Sequence, residues 1–332
     1  MLTIAPMATE FADWLDGTDG PDTLDGLGGN DTLAGGGGND LIQGGLGDDL
    51  ASYAELTATQ AVSVNLAVGR ALGAAGYDTL SGIEHVLTGA GHDSLLGDGL
   101  ANWLSGGAGN DRLNGGHGND TLDGGDGADT MWGGNGDDVF IVGDGDRVYE
   151  AGGQGTDTIL LRRASFSLVG QSAENVTGDI TGIAFSMRGN TGANFLTGGG
   201  LADTLDGNMG HDTLNGGFGN DSLIGGAGND QFIFNTALGE TNIDTLYGYN
   251  ATNDTILLDD AVFTALGPPG ILAAGAFTTG TEATDADHRI IYHGTSGALF
   301  YDADGLGGAA AVQFATLTGV SGVINHAEFL II

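Results

Sequence analysis

The chain has 332 residues, 66 of them Gly, with no Cys and a formal charge of −37 at neutral pH. Its basic residues are all arginines (Arg70, Arg112, Arg147, Arg162, Arg163, Arg188 and Arg289), with no Lys. This excludes disulfides and thiolate metal sites and argues against nucleic acid or an anionic membrane surface as a partner.

Residues 1–16 read as a short lead-in, with Phe11, Trp14 and Leu15 available to cover the first repeat; the stretch lacks the basic and apolar regions of a secretory signal peptide. From residue 17 the chain falls into nine-residue units of the pattern Gly-Gly-x-Gly-x-Asp-x-apolar-x. A first block, 17–52, reads GTDGPDTLD, GLGGNDTLA, GGGGNDLIQ, GGLGDDLAS, with Asp22, Asp31, Asp40 and Asp49 at position 6. Residues 53–87 break the period, with strand-like AVSVNLAVG and YDTLSGIEHV. A second block, 88–141, carries Asp93, Asn102, Asp111, Asp120, Asp129 and Asp138. Residues 142–188 form a second spacer, in which GGQGTDTIL at 152–160 matches the pattern once more, through Asp157. A third block, 189–233, carries Asn194, Asp203, Asp212, Asp221 and Asp230. Residues 234–332 have fewer Gly and several strand-like runs, among them DTILLDDAVF, HRIIYH and ALFYDAD.

The pattern has a physical reading. Gly at positions 1, 2 and 4 permits positive φ and a tight turn. An apolar residue at position 8 between polar or small neighbours is the alternation of a short strand with one inward face. All fifteen units keep that apolar residue, which a disordered Gly-rich linker would not.

These units resemble the calcium-binding nonapeptide repeat of RTX proteins. The resemblance implies an all-β fold: a right-handed parallel β-roll (β-solenoid) with a β-rich C-terminal cap, two nonapeptides making one coil. Equivalent turns then recur every 18 residues, and an Asp at i lies one strand spacing, roughly 4.8 Å, from the Asp at i+18. Two carboxylates that close call for a cation between them. A hard ion with oxygen ligands at about 2.3–2.6 Å suits the cage, and Ca2+ tolerates irregular geometry better than magnesium. The cages expected are Asp22/Asp40, Asp31/Asp49, Asp93/Asp111, Asp111/Asp129, Asp120/Asp138, Asp203/Asp221 and Asp212/Asp230, about seven sites. Asn102/Asp120 and Asn194/Asp212 are two weaker ones. Backbone carbonyls of Gly26, Gly28, Gly35, Gly37, Gly106, Ala108, Gly115, His117, Gly207, Met209, Gly216 and Phe218 are candidate additional ligands.

The spacers are expected to continue the solenoid without calcium. Asp78 has Leu96 at i+18 and so no partner, and Asp157 faces Val139 and Asn175. His92 and His117 read as solvated turn residues, and Asp302-Ala303-Asp304-Gly305 as a turn too short for an EF-hand loop. Residues 234–332 resemble the C-terminal region of RTX proteins exported by the type I route, with Glu328-Phe329-Leu330-Ile331-Ile332 as its acidic-then-apolar end. Where the family has an Asp-aromatic pair closing the last coil, this chain reads Gly248-Tyr249 ahead of Asp254.

No catalytic constellation appears. HExxH and GxSxG are absent, and a chain without Lys has no P-loop. It also lacks the long apolar region and acylated Lys of the pore-forming RTX toxins, and no run approaches transmembrane length. The function implied is a secreted, extracellular calcium-binding protein that leaves through the type I export machinery and folds on binding Ca2+ outside the cell. Alternatives are a module binding an extracellular polysaccharide or matrix, an unrecognised hydrolase in 234–332, and a membrane-interacting protein.

Overall fold

The computed structural model describes residues 8–150, 154–168, 170–178 and 182–332. It contains strands and three single-turn 3-10 helices, and among the described residues no helix is long and apolar enough to cross a membrane. The chain divides into two compact units, one of residues 1–162 with 171–173, the other of 163–170 with 174–332.

The first unit is a parallel β-roll of two facing sheets. Along one sheet, Trp14–Thr18, Thr32–Gly36 and Leu50–Ser52 are followed by His85–Leu87, Trp103–Ser105, Thr121–Asp123, Val139–Val142 and Thr158–Leu161, every neighbour parallel. Within the blocks the register is 18 residues, as in Leu15↔Leu33 and Leu104↔Leu122. The roll therefore starts inside the expected lead-in. Leu15 is buried beside Leu33, but Phe11 and Trp14 are 77% and 65% exposed and cover nothing. A strand puts alternate residues on opposite faces, so Leu15 can be buried only by turning Trp14 outward.

The position-8 residues form the core. From Leu24 through Met131 and Phe140 to Phe232, all fifteen are essentially inaccessible. Positions 7 and 9 turn to the other face, as a strand with one inward face requires, whether they are polar as at Thr121 and Asp123 or apolar as at Val139 and Ile141.

Residues 53–87 depart from the expected plain continuation. Val62–Asn65, Arg70–Gly73 and Gly76–Ser81 form an antiparallel meander inserted into the second sheet. Gly76–Ser81 pairs back with Leu41–Gln43, and Val62–Asn65 forward with Ser94–Leu96, so the sheet continues across an insertion. Beyond it run Arg112–His117, Thr130–Asn135 and Arg147–Tyr149.

The second unit repeats the architecture. Asn175–Gly178, Phe195–Thr197, Thr213–Asn215, Gln231–Phe234 and Thr255–Leu258 make one sheet. Ser165–Ser167, Ser186–Arg188, Thr204–Asp206, Ser222–Ile224 and Asp244–Tyr247 make the other. The C-terminal residues extend both: Val312–Thr318 pairs with Asp244–Tyr247, and Phe329–Ile331 with Thr255–Leu258, both parallel. Ala298–Tyr301 and Ile290–His293 then turn antiparallel. Phe234, Phe263, Tyr301 and Phe314 pack edge-to-face beneath them, with ring centroids 5.2 Å apart at each contact.

Candidate metal centres

The glycines of the repeat serve two different needs. Most of those at positions 2 and 4 hold positive φ, as at Gly36 (81°) and Gly38 (139°) or Gly107 (81°) and Gly109 (149°), with Gly20, Gly89, Gly91, Gly192 and Gly199 as exceptions. Those at position 1 do not, which corrects the expectation of one common cause. They are required for room. A Cβ on Gly106 would lie 2.5 Å from Asp111 Oδ2 and 2.8 Å from the Gly124 carbonyl oxygen. On Gly207 it would lie 2.5 Å from Asp212 Oδ2 and 2.6 Å from the Gly225 carbonyl oxygen. At Gly17, Gly26, Gly44, Gly106, Gly115, Gly198 and Gly207 the missing Cβ thus leaves a cradle that an Asp carboxylate oxygen and a backbone carbonyl oxygen of the next coil both approach, and at Gly97 and Gly189 an Asn oxygen takes the carboxylate's place.

The carboxylates are held in ladders. The backbone N–H of each position-6 residue donates to Oδ1 of the Asp one coil on: Asp22 to Asp40 (2.8 Å), Asp31 to Asp49 (2.8 Å), Asp93 to Asp111 (2.7 Å) and Asp111 to Asp129 (2.7 Å). Asp120 donates likewise to Asp138 (2.8 Å), Asp203 to Asp221 (2.7 Å) and Asp212 to Asp230 (3.0 Å). All seven expected pairs are therefore adjacent, and Asn102 and Asn194 join Asp120 and Asp212 in the same way, each at 2.8 Å.

The other oxygen is left over. Oδ2 of Asp31, Asp40, Asp49, Asp93, Asp111, Asp120, Asp129, Asp138, Asp212, Asp221 and Asp230 is buried without a hydrogen-bond partner. A buried charged oxygen without a partner is costly, and eleven such Asp oxygens occur among the described residues. Asp22 and Asp203 differ, because their Oδ2 accepts the N–H of Thr18 and Gly199, at 2.6 Å in each case. Burial pushes the carboxyls of Asp40, Asp111, Asp138 and Asp221 up to about 6, and those of Asp120, Asp129 and Asp212 up to about 7. Orphaned carboxylate oxygens, several of them beside carbonyl oxygens, fit a hard oxygen-seeking cation.

The candidate carbonyls divide. Those of Gly35, Gly115, Gly207 and Gly216 enter the cradles of Gly17, Gly97, Gly189 and Gly198. The Gly26 carbonyl instead accepts the Gly28 N–H (3.0 Å), and that of Gly106 accepts the Thr88 hydroxyl (2.8 Å). Gly37, Ala108, His117, Met209 and Phe218 occupy the turns, where their N–H groups donate to the position-2 carbonyl of the preceding coil. Carbonyls of Gly44, Gly82, Gly124, Gly133 and Gly225 also enter cradles. They went unnamed in the sequence, although four of them occupy position 1.

The ladders also run through the spacers, contrary to expectation. Asp78 is not alone: its Oδ1 accepts the Asp40 N–H (3.0 Å) and its Oδ2 the Tyr53 hydroxyl (3.0 Å). Asp157 pairs with Asp138, 19 residues back, rather than facing Val139. Glu84, Asp146, Asp244 and Asp254 take the same place opposite Asp49, Asp129, Asp221 and Asp230. Tyr249 of the Gly248-Tyr249 pair is fully buried, its hydroxyl donating to the Asp254 carbonyl at 3.0 Å. His92 is no free turn residue, since its Nδ1 accepts the Asn110 N–H at 2.8 Å, as Asn110 Oδ1 does for Ala128 at 3.0 Å. His117 Nδ1 meets the Asn135 side chain. Asp302 Oδ1 caps its own turn, accepting the N–H groups of Asp304 (3.2 Å) and Gly305 (2.8 Å).

A two-sheet parallel roll with stacked, partly unsatisfied carboxylates in its turns defines a class of cation-binding β-solenoid. The family model of the RTX calcium-binding nonapeptide repeat (4 copies) matches at residues 7–42, 16–51, 87–122, 96–131, 118–149, 186–214 and 206–236. The chain belongs to that family and is a calcium-binding β-roll protein. Among curated proteins, none matches it.

Proposed function

We propose that this is a secreted protein that binds several Ca2+ ions in its repeat turns and folds on doing so after export by the type I route. The observation that carries the reading is the set of eleven buried Asp Oδ2 atoms without a partner. Without a cation these carboxylates repel one another in a protein that already carries −37. With one they become the ligands that hold successive coils together. The Asp residues at position 6 of 17–52, 88–141 and 189–233 are the proposed ligands, with carbonyls such as those of Gly35, Gly44, Gly115, Gly124, Gly133, Gly216 and Gly225 as additional ones.

Calcium then acts as the fold's missing core. Low hydrophobicity with high net charge leaves a chain disordered, and every Gly adds an ordering cost of about 0.5–1 kcal/mol relative to Ala. An ion at ten times its dissociation constant stabilises each site by roughly 1.4 kcal/mol. Because coils contact only their neighbours, filling one site orders the next, as in a one-dimensional array. In the cytosol, where free calcium is low, the chain stays extended and export-competent; outside, it folds. Residues 234–332, which extend both sheets of the second unit, are proposed to carry the export signal and to cap the roll.

The test is an ion count. Equilibrium dialysis against labelled calcium should give about seven to nine ions per chain, with magnesium failing to compete at equal concentration. Fewer than two bound ions would contradict the reading.

A further inference from the structure

The second block ends in a spacer that returns to the roll with two compensating slips. Arg147–Tyr149 pairs with Thr130–Asn135 in the register Trp132↔Tyr149, one residue short of the repeat. Thr158–Leu161 pairs with Val139–Val142 in the register Val139↔Thr158, one residue long. The first slip sets Glu150 against Gly133, whose N–H it accepts through Oε1 at 2.7 Å. The second sets Asp157 against Asp138, whose N–H it accepts through Oδ1 at 3.0 Å.

Three carboxylates converge as a result. One oxygen from each of Asp138, Glu150 and Asp157 lies within 4.8 Å of the other two. Asp138 is 1% exposed, and its Oδ2 has no hydrogen-bond partner; neither has Glu150 Oε2. A Cβ on Gly133 would lie 2.6 Å from Glu150 Oε1, so this carboxylate stands where cradles such as those of Gly106, Gly115 and Gly207 present a carbonyl. The centre of such a triangle is at most about 2.8 Å from each oxygen, and a contraction of a few tenths of an ångström reaches calcium distances of about 2.3–2.6 Å.

We propose that Asp138, Glu150 and Asp157 form a three-carboxylate site for one further hard divalent cation, calcium, at the end of the second block. The inference rests on the reading of the repeats as calcium sites. Replacing a neutral carbonyl by a carboxylate adds a full negative charge to the ligand set, and ligand charge is one of the terms that sets calcium affinity. Magnesium demands a tighter and more regular octahedron than this splayed set offers. The competing description, a proton shared among the three carboxyls, needs no ion.

The site has a built-in reporter. Trp132 stacks on Tyr149 with ring centroids 5.5 Å apart and planes at 15°, and these residues immediately precede Gly133 and Glu150. The test uses the full chain and the variant Glu150→Gln, whose amide oxygen can still accept the Gly133 N–H. Bound calcium is counted by equilibrium dialysis, and terbium emission is excited through tryptophan. E150Q should bind one ion fewer than the wild type and lose the terbium emission that Trp132→Phe also removes, with the remaining ions unchanged. A wild-type ion count and wild-type emission in E150Q would overturn the site while leaving the repeat sites standing. A wild-type chain that binds no calcium would sink the repeat reading, and this site with it. Should E150Q not regain β-structure in saturating calcium, Glu150→Asp is the second arm: folding with one weakened ion supports the site, and folding with every ion unchanged overturns it.

Discussion

The backbone N–H of Asp111 donates to Oδ1 of Asp129, one coil further on, at 2.7 Å, and leaves Oδ2 of Asp129 buried with no partner. One carboxylate thus does two jobs. One oxygen fixes the register of neighbouring coils, and the other is the proposed cation ligand. Asp129→Asn keeps the register bond but removes one of the two carboxylate charges of the Asp111/Asp129 pair. It should weaken calcium binding by about tenfold at one site, roughly 1.4 kcal/mol, and raise the calcium midpoint of folding. Asp22→Asn is the control: Oδ2 of Asp22 already accepts the Thr18 N–H, so the shift there should be smaller. Calorimetric calcium titrations of both variants check the contrast.

Position-1 glycines should be intolerant for want of space rather than of backbone freedom. Gly106→Ala drives a methyl to 2.5 Å from Asp111 Oδ2 and should cost the chain at least one bound ion, read by dialysis. Leu27 marks the opposite case. It holds φ 68° at position 2 and is 43% exposed, so it strains the turn while packing little. Leu27→Gly should stabilise the calcium-loaded protein by about 1 kcal/mol, seen as a raised melting temperature.

Tyr53 closes the Asp78 position with a hydroxyl where the repeats leave an oxygen open. Tyr53→Phe strands that oxygen and should destabilise the protein by about 1–3 kcal/mol. It should also create a site whose filling recovers part of the loss. Denaturant melts at low and high calcium would show the difference.

The pH dependence should change sign with calcium. Without metal, Asp120, Asp129 and Asp212 titrate near 7 because of burial, whereas an unfolded Asp titrates near 3.9. The folded chain then holds more protons, so these groups favour folding below about pH 4 and lose that contribution as pH rises through 7. In chelator, β-structure should therefore increase on acidification from pH 8 to 5. With calcium, protons compete for the same oxygens, and affinity should fall by about tenfold per pH unit below 7 for each carboxyl displaced. Circular dichroism in chelator and calcium midpoints at pH 5.5 and 7.5 test the two halves separately.

The fold was legible in the sequence where the period held. Leu113, Leu122 and Met131 announced the core, and Asp111 and Asp129 the ladder, because both follow from nine-residue arithmetic. The arithmetic failed at the insertions. Asp78 lies 38 residues from Asp40, and Asp254 lies 24 from Asp230. Extra residues loop out between strands that still pair, so chain distance stops measuring coil distance. Glu150 was invisible for a further reason: it replaces a backbone carbonyl, a ligand that no repeat pattern records as a residue type. Phe11 and Trp14 misled because apolar character alone does not say which face of a strand turns inward.

Calcium, in the function proposed above, supplies the fold. The most direct test of that role is far-UV circular dichroism of the full chain at pH 7.5 during a calcium titration, with magnesium in parallel. The protein should pass cooperatively from a disordered signal to β-sheet at sub-millimolar to millimolar calcium and show no such passage with magnesium. A full β-sheet spectrum in chelator, unchanged by calcium, would contradict that role.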